Sequence, residues 1–187
     1  MKFAAAFATA LVAAVVLGTV PSAAQDKGNT EAAKLTKESQ KALSQLASKV
    51  PLAKALTPKA YAVLVFPGVK KAGFMIGGQY GEGTLLKGGK AAAYYKTTGA
   101  SFGLQAGGQE YGYAMFFMNA KALAQLDNAD GFEVGVGPSV VAVDEGMGKS
   151  STTTTLKDDI YAFIFGQKGL MAGLGIQGNK ITKIQPK

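Results

Sequence analysis

The feature that most constrains this chain is a block from Ala72 to Gly83 (A-G-F-M-I-G-G-Q-Y-G-E-G), in which glycine recurs at alternate positions. Successive side chains of a β-strand point to opposite faces of the sheet, so such a strand has two different faces. One face carries Gly73, Met75, Gly77, Gln79 and Gly81, and the other carries Phe74, Ile76, Gly78 and Tyr80. The first face is therefore mostly small, and the second is mostly apolar.

Two later segments, 101–108 and 169–178, repeat this alternation of glycine with apolar residues. A glycine inside a strand costs backbone entropy and packs nothing, so three such segments need a structural reason. The glycines either allow the sheet to coil into a small closed barrel, or allow another backbone or a ligand to approach closely. The pattern favours the barrel, because closure also removes the exposed edges of these strands.

The first 24 residues have the pattern of a secretory signal peptide. Lys2 precedes an apolar run from Phe3 to Val20, Pro21 interrupts the run, and the small residues 22–24 stand before Gln25. The alternative is a retained membrane anchor, since the run is about long enough to cross a bilayer. We expect residues 1–24 to be removed, leaving 25–187 as a single domain that is periplasmic, peripherally membrane-associated or extracellular. The sequence contains no cysteine, so this domain must fold without disulfides.

The charge of the chain is strongly positive, with a formal net charge of +8, and every one of its 20 basic residues is lysine. An excess of lysine favours anionic partners such as lipid head groups or polyphosphates. Base-specific recognition of nucleic acid usually relies on arginine, so no nucleic-acid partner is expected. The alternative is a solvated basic surface without a partner.

The N-terminal part of the expected domain predicts helices. Asn29 or Thr30 caps a helix that runs to about Lys49, and after Pro51 the segment 52–56 adds another turn. In the first of these helices the apolar residues form one stripe and the lysines form another, which is typical of a helix that packs on a domain and exposes its lysines to water. The alternative is an amphipathic surface that docks on an anionic membrane.

The rest of the chain predicts strands and hairpins. A strand at 62–66 is expected to stop at Pro67-Gly68, Gly88-Gly89 forms a hairpin turn, and Asn119 caps a short helix. Further strands bring the expected total to about nine. The predicted fold class is α+β and mainly β, with an antiparallel, coiled or closed, barrel-like sheet and N-terminal helices.

The motifs that resemble catalytic sites are incomplete. Gly99 to Gly103 matches G-x-S-x-G, but that motif needs a histidine base and the chain has no histidine. Residues 148–150 read G-K-S, like the end of a P-loop, but Val143 stands where the first glycine of that motif belongs. The acid pairs at 144–145 and 158–159 are typical of solvated turns. The sequence therefore predicts no enzymatic activity, no metal site and no cofactor.

Several motifs, in a consistent order, resemble the SYLF domain family. The first is V-L-V-F-P-G-V-K-K-A-G-F-M-I-G-G-Q-Y-G-E-G at 63–83, and G-A-S-F-G-L-Q-A-G-G-Q follows at 99–109. Shorter matches lie at 93–95, 115–117, 164–165 and 168–174. The resemblance covers about residues 30–184, and it implies a barrel-like β fold in a non-enzymatic, lipid-binding domain.

Members of that family in eukaryotes bind phosphoinositides, and some fungal members bind actin, an activity not expected in a bacterial envelope. The resemblance therefore implies an anionic phospholipid or membrane surface as the partner. The lysines expected to meet it are Lys34, Lys37, Lys41, Lys54, Lys59, Lys70 and Lys71. Two alternative hypotheses for the function are a structural or partner-binding module of the cell envelope and an outer-membrane barrel.

Overall fold

The computed structural model describes residues 23–127, 132–134, 140–144, 159–169 and 179–186. Two helices open this part, α1 (Ala23–Lys49) and α2 (Pro51–Leu56), and a third, α3 (Ala120–Ala124), continues as a 3-10 turn over Gln125–Asp127. The strands are β1 (Ala62–Lys87), β2 (Lys90–Phe117), β3 (Phe132–Val134), β4 (Val140–Asp144), β5 (Ile160–Gly169) and β6 (Asn179–Ile184). The fold is mainly β with N-terminal helices, which confirms the predicted class.

The six strands form one sheet organised around β2. One edge of β2 pairs with β1, and its other edge pairs with β6 near its start and with β5 near its end. β3 lies beside β6, and β4 lies beside β5 in the one parallel pairing of the described strands. These pairings leave the described sheet open, so it is coiled without being closed into a barrel.

The β1–β2 hairpin is much longer than the sequence predicts, since its strands have 26 and 28 residues where several short strands were expected. Gly88 and Gly89 form the predicted turn, with φ angles of 57° and 77° that suit glycine. The expectation that the first strand stops at Pro67-Gly68 was wrong. The ladder has a register shift between Phe66 and Val69, where Pro67 and Gly68 form a bulge opposite the single residue Gly112. Proline is tolerated there because β1 pairs only with β2 in the described sheet and a bulge needs no ladder donor.

This hairpin folds back on itself. Tyr111 Oη donates a hydrogen bond of 3.0 Å to Gln79 Oε1, although Tyr111 pairs across the ladder with Val69, ten residues before Gln79. Ten residues of straight strand would span roughly 33 Å. The two halves of the hairpin are therefore in contact.

Glycines stand where the two halves of β1 meet. A Cβ atom built on Gly83 would lie 2.5 Å from the Val65 carbonyl oxygen, and one on Gly81 would lie 3.1 Å from Val69 Cα. Close approach of another backbone, the reading that the sequence favoured less, therefore explains these two positions. By contrast, Gly78 has no neighbour nearer than 4.0 Å.

Both faces of the sheet carry buried apolar side chains, and successive residues of a strand belong alternately to one core and to the other. One face carries Leu64, Phe66, Met115 and Phe117 in a core closed by α3. The opposite face carries Val63, Val65, Ala114 and Phe116 in a core covered by α1 and α2. Ser39, fully buried on α1, donates to the Val65 carbonyl at 3.2 Å and shares a hydroxyl–hydroxyl hydrogen bond of 3.2 Å with Thr84 Oγ1, and so fixes α1 over the point where the hairpin folds back.

Candidate functional site

The seven lysines predicted to meet an anionic surface occupy four different places. Lys34, Lys41 and Lys70 line a groove beside α1, and Lys54 and Lys59 are exposed on and just after α2. Lys37 is exposed on α1 but does not line the groove. Lys71 is only 6% exposed. The structure therefore divides a set that the sequence treated as one cluster.

The groove lies between α1 and the outer face of the folded hairpin, and its volume is about 1020 Å³. Successive turns of α1 form one wall of the groove, which includes Leu35, Ala42 and Gln45. Its floor comes from the bulge at Pro67-Gly68 and from residues 80–82, which the hairpin brings against that bulge. We call this feature the α1 groove.

The α1 groove gathers charged side chains of both signs in equal number. Its four lysines are Lys34, Lys41, Lys70 and Lys96. Its four glutamates are Glu31, Glu38, Glu82 and Glu110, which are all the glutamates whose side chains the structure describes. Their formal charges cancel, although the chain as a whole is strongly basic.

Tyr80 is half exposed in the same groove, and its hydroxyl donates a hydrogen bond to Glu82 Oε1. This hydrogen bond, with partial burial and the charge of Glu82, raises the pKa of Tyr80 to about 12. The phenol therefore stays neutral at physiological pH, and its ring presents an aromatic face beside a carboxylate.

A second surface lies where α2 meets the turn of the hairpin, and we call it the α2 patch (Lys54, Lys59, Tyr61, Lys87 and Lys90). Leu86, next to the hairpin turn, belongs to the same buried cluster as Leu52 and Leu56 of α2. Lys87 Nζ donates a hydrogen bond of 2.7 Å to Tyr61 Oη and lies 4.0 Å from the centre of the Tyr61 ring. Tyr61 remains 40% exposed, so the patch combines lysines with an accessible aromatic ring.

The hairpin turn places two like charges opposite each other. Lys87 and Lys90 are ladder partners on either side of Gly88-Gly89, and both are exposed. Like charges directly opposite on a ladder repel, so this pair favours a nearby anion. Gln40 Nε2 on α1 donates to the Gly89 carbonyl at 2.9 Å and so holds the turn in place.

Acidic residues are scarce in the segment that builds the patch. From Ser39 to Gln109 the sequence has a single acid, Glu82, which lines the groove. Asp159 lies at the same end of the sheet as Tyr61, but its carboxylate accepts a hydrogen bond of 2.6 Å from Asn119 Nδ2. The α2 patch therefore presents positive charge, whereas the α1 groove is balanced.

Lys71 points to the inner face of the hairpin. It alternates with exposed Lys70, and its ladder partner Gln109 is also buried, at 7% exposure. The sequence did not predict this alternation, because the first strand was expected to end at Pro67-Gly68. In this structure Lys71 is not accessible to a membrane surface.

Sequence reasoning missed Tyr61, Lys87, Lys90 and Lys96. The hairpin turn was predicted, so two lysines flanking it were a usable signal of local positive charge. No local pattern connects that turn with α2 or with Tyr61, because the contact depends on how the hairpin packs under the helices.

The described residues contain no group of three acidic side chains placed to hold a metal ion. None of the helices that the structure describes is both long enough and apolar enough to cross a membrane.

The fold and surfaces define a lysine-rich, mainly β domain with an N-terminal helical cover, and most of its described lysines are exposed near that cover. A family model described as "Ysc84: Las17-binding protein actin regulator" matches residues 98–186, and this match supports membership of the SYLF domain family. The match begins in β2, so the resemblance noted for residues 30–97 stays a prediction. No curated protein matches the chain.

Proposed function

We propose that this SYLF domain binds anionic, phosphoinositide-like lipid head groups at a membrane surface, without enzymatic activity, and that the α2 patch makes the contact. The observation that carries the proposal is the contact of Lys87 with the exposed Tyr61, which brings a lysine of the hairpin turn next to the end of α2 in an almost acid-free segment. Lipid binding is also what membership of the family suggests.

The charges of the patch suit a membrane surface. A lysine near an anionic leaflet contributes about 1 kcal/mol, so four contribute about 4 kcal/mol, or roughly a thousandfold in affinity. Tyr61 adds an amphipathic ring, of the kind enriched at membrane interfaces. Cation–π contact with Lys87 keeps this ring beside the charges it would accompany.

The cellular setting is part of the same proposal. Residues 1–24 act as an export signal, and the domain works in the periplasm or at an envelope membrane. Actin regulation, which the family description names, is not part of the proposal, because a domain exported to a bacterial envelope would not meet actin.

Vesicle flotation with two charge-matched variants tests the proposal. The patch variant carries Lys54→Gln, Lys59→Gln, Lys87→Gln and Lys90→Gln, and the groove variant carries Lys34→Gln, Lys41→Gln, Lys70→Gln and Lys96→Gln. Each removes four positive charges, so net charge alone affects both equally. Circular dichroism confirms that both variants are folded.

The domain should float with vesicles that contain phosphatidylglycerol or a phosphoinositide, and not with phosphatidylcholine vesicles. The patch variant should lose this binding, whereas the groove variant should keep most of it. Equal loss in the two variants would assign the binding to net charge and overturn the role of the patch. Absence of binding to every vesicle would reject lipid binding and leave a protein partner in the envelope as the alternative.

A further inference from the structure

The α1 groove has properties that anion binding does not explain. A surface selected for anions gains nothing from carboxylates, which repel them. Yet all four glutamates with described side chains line this groove, in a chain whose net charge is +8. The groove therefore offers hydrogen-bond acceptors with negative charge as well as lysine donors.

The opposite charges of the groove are placed within reach of one another. Lys70 is the ladder partner of Glu110, and Lys96 is the ladder partner of Glu82, a spacing at which Cβ atoms are about 5 Å apart. On α1, Lys34 stands three residues after Glu31 and four before Glu38, the spacings at which helical side chains meet. Any of these pairs has the backbone geometry for an ion pair.

None of these pairs is closed within 4 Å in the described part of the chain. Instead, the charged groups line the groove, and the Glu110 carboxylate lies over Gly68 at the bulge. Ammonium and carboxylate groups thus face the same space without neutralising each other through contact.

We infer that the α1 groove binds a phosphate ester that carries a primary ammonium group, the chemistry of a phosphoethanolamine head group. Lysines such as Lys34 and Lys70 contact the phosphate, and Glu38 and Glu82 accept hydrogen bonds from the ammonium. The half-exposed ring of Tyr80, held beside Glu82, offers the ammonium a cation–π contact. The ligand is distinct from the anionic membrane contact at the α2 patch, so the two proposals succeed or fail separately.

The carboxylates distinguish a primary from a quaternary ammonium. A primary ammonium has three N–H donors for carboxylate acceptors, whereas a choline group has none and is usually held by several aromatic rings. Tyr80 is the one aromatic side chain among the described residues that line the groove. The groove should therefore discriminate against choline.

Soluble head groups test the inference without a membrane. Isothermal titration and amide chemical-shift changes at low ionic strength compare glycerophosphoethanolamine with glycerophosphocholine and glycerol 3-phosphate. We expect glycerophosphoethanolamine to bind most tightly and to shift amides of α1 and of residues 80–82. Glu82→Gln and Lys70→Gln should each weaken it about two- to fivefold, the effect of losing one exposed charge partner.

Lys37→Gln on the outer side of α1 is the control, and it should leave the affinity unchanged. Vesicles of phosphatidylcholine with and without phosphatidylethanolamine distinguish a membrane source of the head group from a soluble one. Binding to either source that falls in Glu82→Gln but not in Lys37→Gln supports the inference. Equal affinity for the three soluble probes, or binding to neither source, overturns it, while the patch variant decides the anionic contact independently.

Discussion

At the scale of single residues, three tyrosines of β2 differ in whether their hydroxyl groups have a hydrogen-bond partner. Tyr95 is 1% exposed, and its hydroxyl donates to Asp127 Oδ1 at 3.2 Å. The hydroxyl of Tyr111 has Gln79 as its acceptor. The Tyr113 hydroxyl is buried and has no hydrogen-bond partner within the residues that the structure describes, although its ring stacks on Phe66 with centroids 5.9 Å apart.

Replacing Tyr113 with phenylalanine should therefore leave stability unchanged or raise it by about 1 kcal/mol. The substitution keeps the ring stack and removes a buried hydroxyl that makes no bond to the described residues, a group whose desolvation is then uncompensated. Urea denaturation measures the free energy of unfolding. Tyr95→Phe is the contrasting variant, because it removes the bond to Asp127 and should destabilise by about 1 kcal/mol. A large loss in Tyr113→Phe would show that its hydroxyl has a partner.

The same tyrosines make stability depend on alkaline pH. Burial raises the pKa of Tyr111 to about 12, and burial with the charge and hydrogen bond of Asp127 raises the pKa of Tyr95 to about 12. Burial and the nearby Tyr111 raise the pKa of Tyr113 further. The unfolded chain loses these protons near pH 10, while the folded chain keeps them.

The free energy of unfolding should consequently hold steady up to about pH 10 and fall as the pH rises towards 12. Each buried tyrosine contributes a slope of up to about 1.4 kcal/mol per pH unit in that window. Denaturation of the wild type and of Tyr113→Phe at a series of pH values measures the slope, which should be shallower in the variant. Identical slopes in the two proteins would contradict this account.

At the scale of elements, the β1–β2 hairpin organises the sheet, because β2 also pairs with β5 and β6. Its glycines are not equivalent, because Gly81 and Gly83 lie against another part of β1, whereas a Cβ atom on Gly78 would have no neighbour nearer than 4.0 Å. Register shifts at 66/69 and 74/76 let a single ladder bend without breaking. The helices then lie over the outer face of this bent ribbon, and Ser39 connects α1 to both of its halves.

Gly83→Ala should destabilise the domain by about 3 kcal/mol or more. Its Cβ would lie 2.5 Å from the Val65 carbonyl and 2.6 Å from Phe66 Cδ1, and the backbone there cannot move without disturbing the ladder. Gly78→Ala is the control, expected to be neutral or to stabilise by up to about 1 kcal/mol, since alanine loses less entropy on folding. Thermal and urea unfolding compare the two. Similar midpoints for both variants would argue against the folded-back hairpin.

At the scale of the whole molecule, fold and charge are arranged so that one basic chain has two chemically different surfaces. α1 lies between them, since it forms a wall of the groove and also holds the hairpin turn through Gln40. The two exposed large apolar side chains of the described residues, Tyr61 and Tyr80, fall one on each surface.

The α2 patch and the α1 groove should respond differently to salt. Vesicle binding through the patch adds up several like charges, so raising the ionic strength from about 0.05 M to 0.5 M should release most of the bound protein. A zwitterion in the groove has no net charge, so its affinity should fall much less. Flotation and titration in the same salt series measure the two effects. Salt-independent flotation would contradict an electrostatic contact at the patch.

Local signals in the sequence predicted local structure well. Gly88-Gly89 predicted the hairpin turn, and Pro51 predicted the end of α1 at Lys49. Asn119 caps α3 as predicted, with its Oδ1 accepting from the Ala122 amide at 2.8 Å. The start of α1 was placed seven or eight residues too late, since the helix begins at Ala23 and not after a cap at Asn29 or Thr30. The third glycine-rich segment and the loop at 144–155 lie outside the described residues, apart from Asp144 and Gly169.

The sequence by itself thus determined the mainly β class with a helical cover, the hairpin turn and the wealth of lysine, because each follows from neighbouring residues or from composition. Only the tertiary structure decided which charges share a surface. Lys34, Lys70 and Lys96 meet in one groove because the hairpin folds back and α1 covers the fold, and Lys71 is excluded because it faces inward. Those positions depend on contacts between residues far apart in the chain, for which no short stretch of sequence carries a signal.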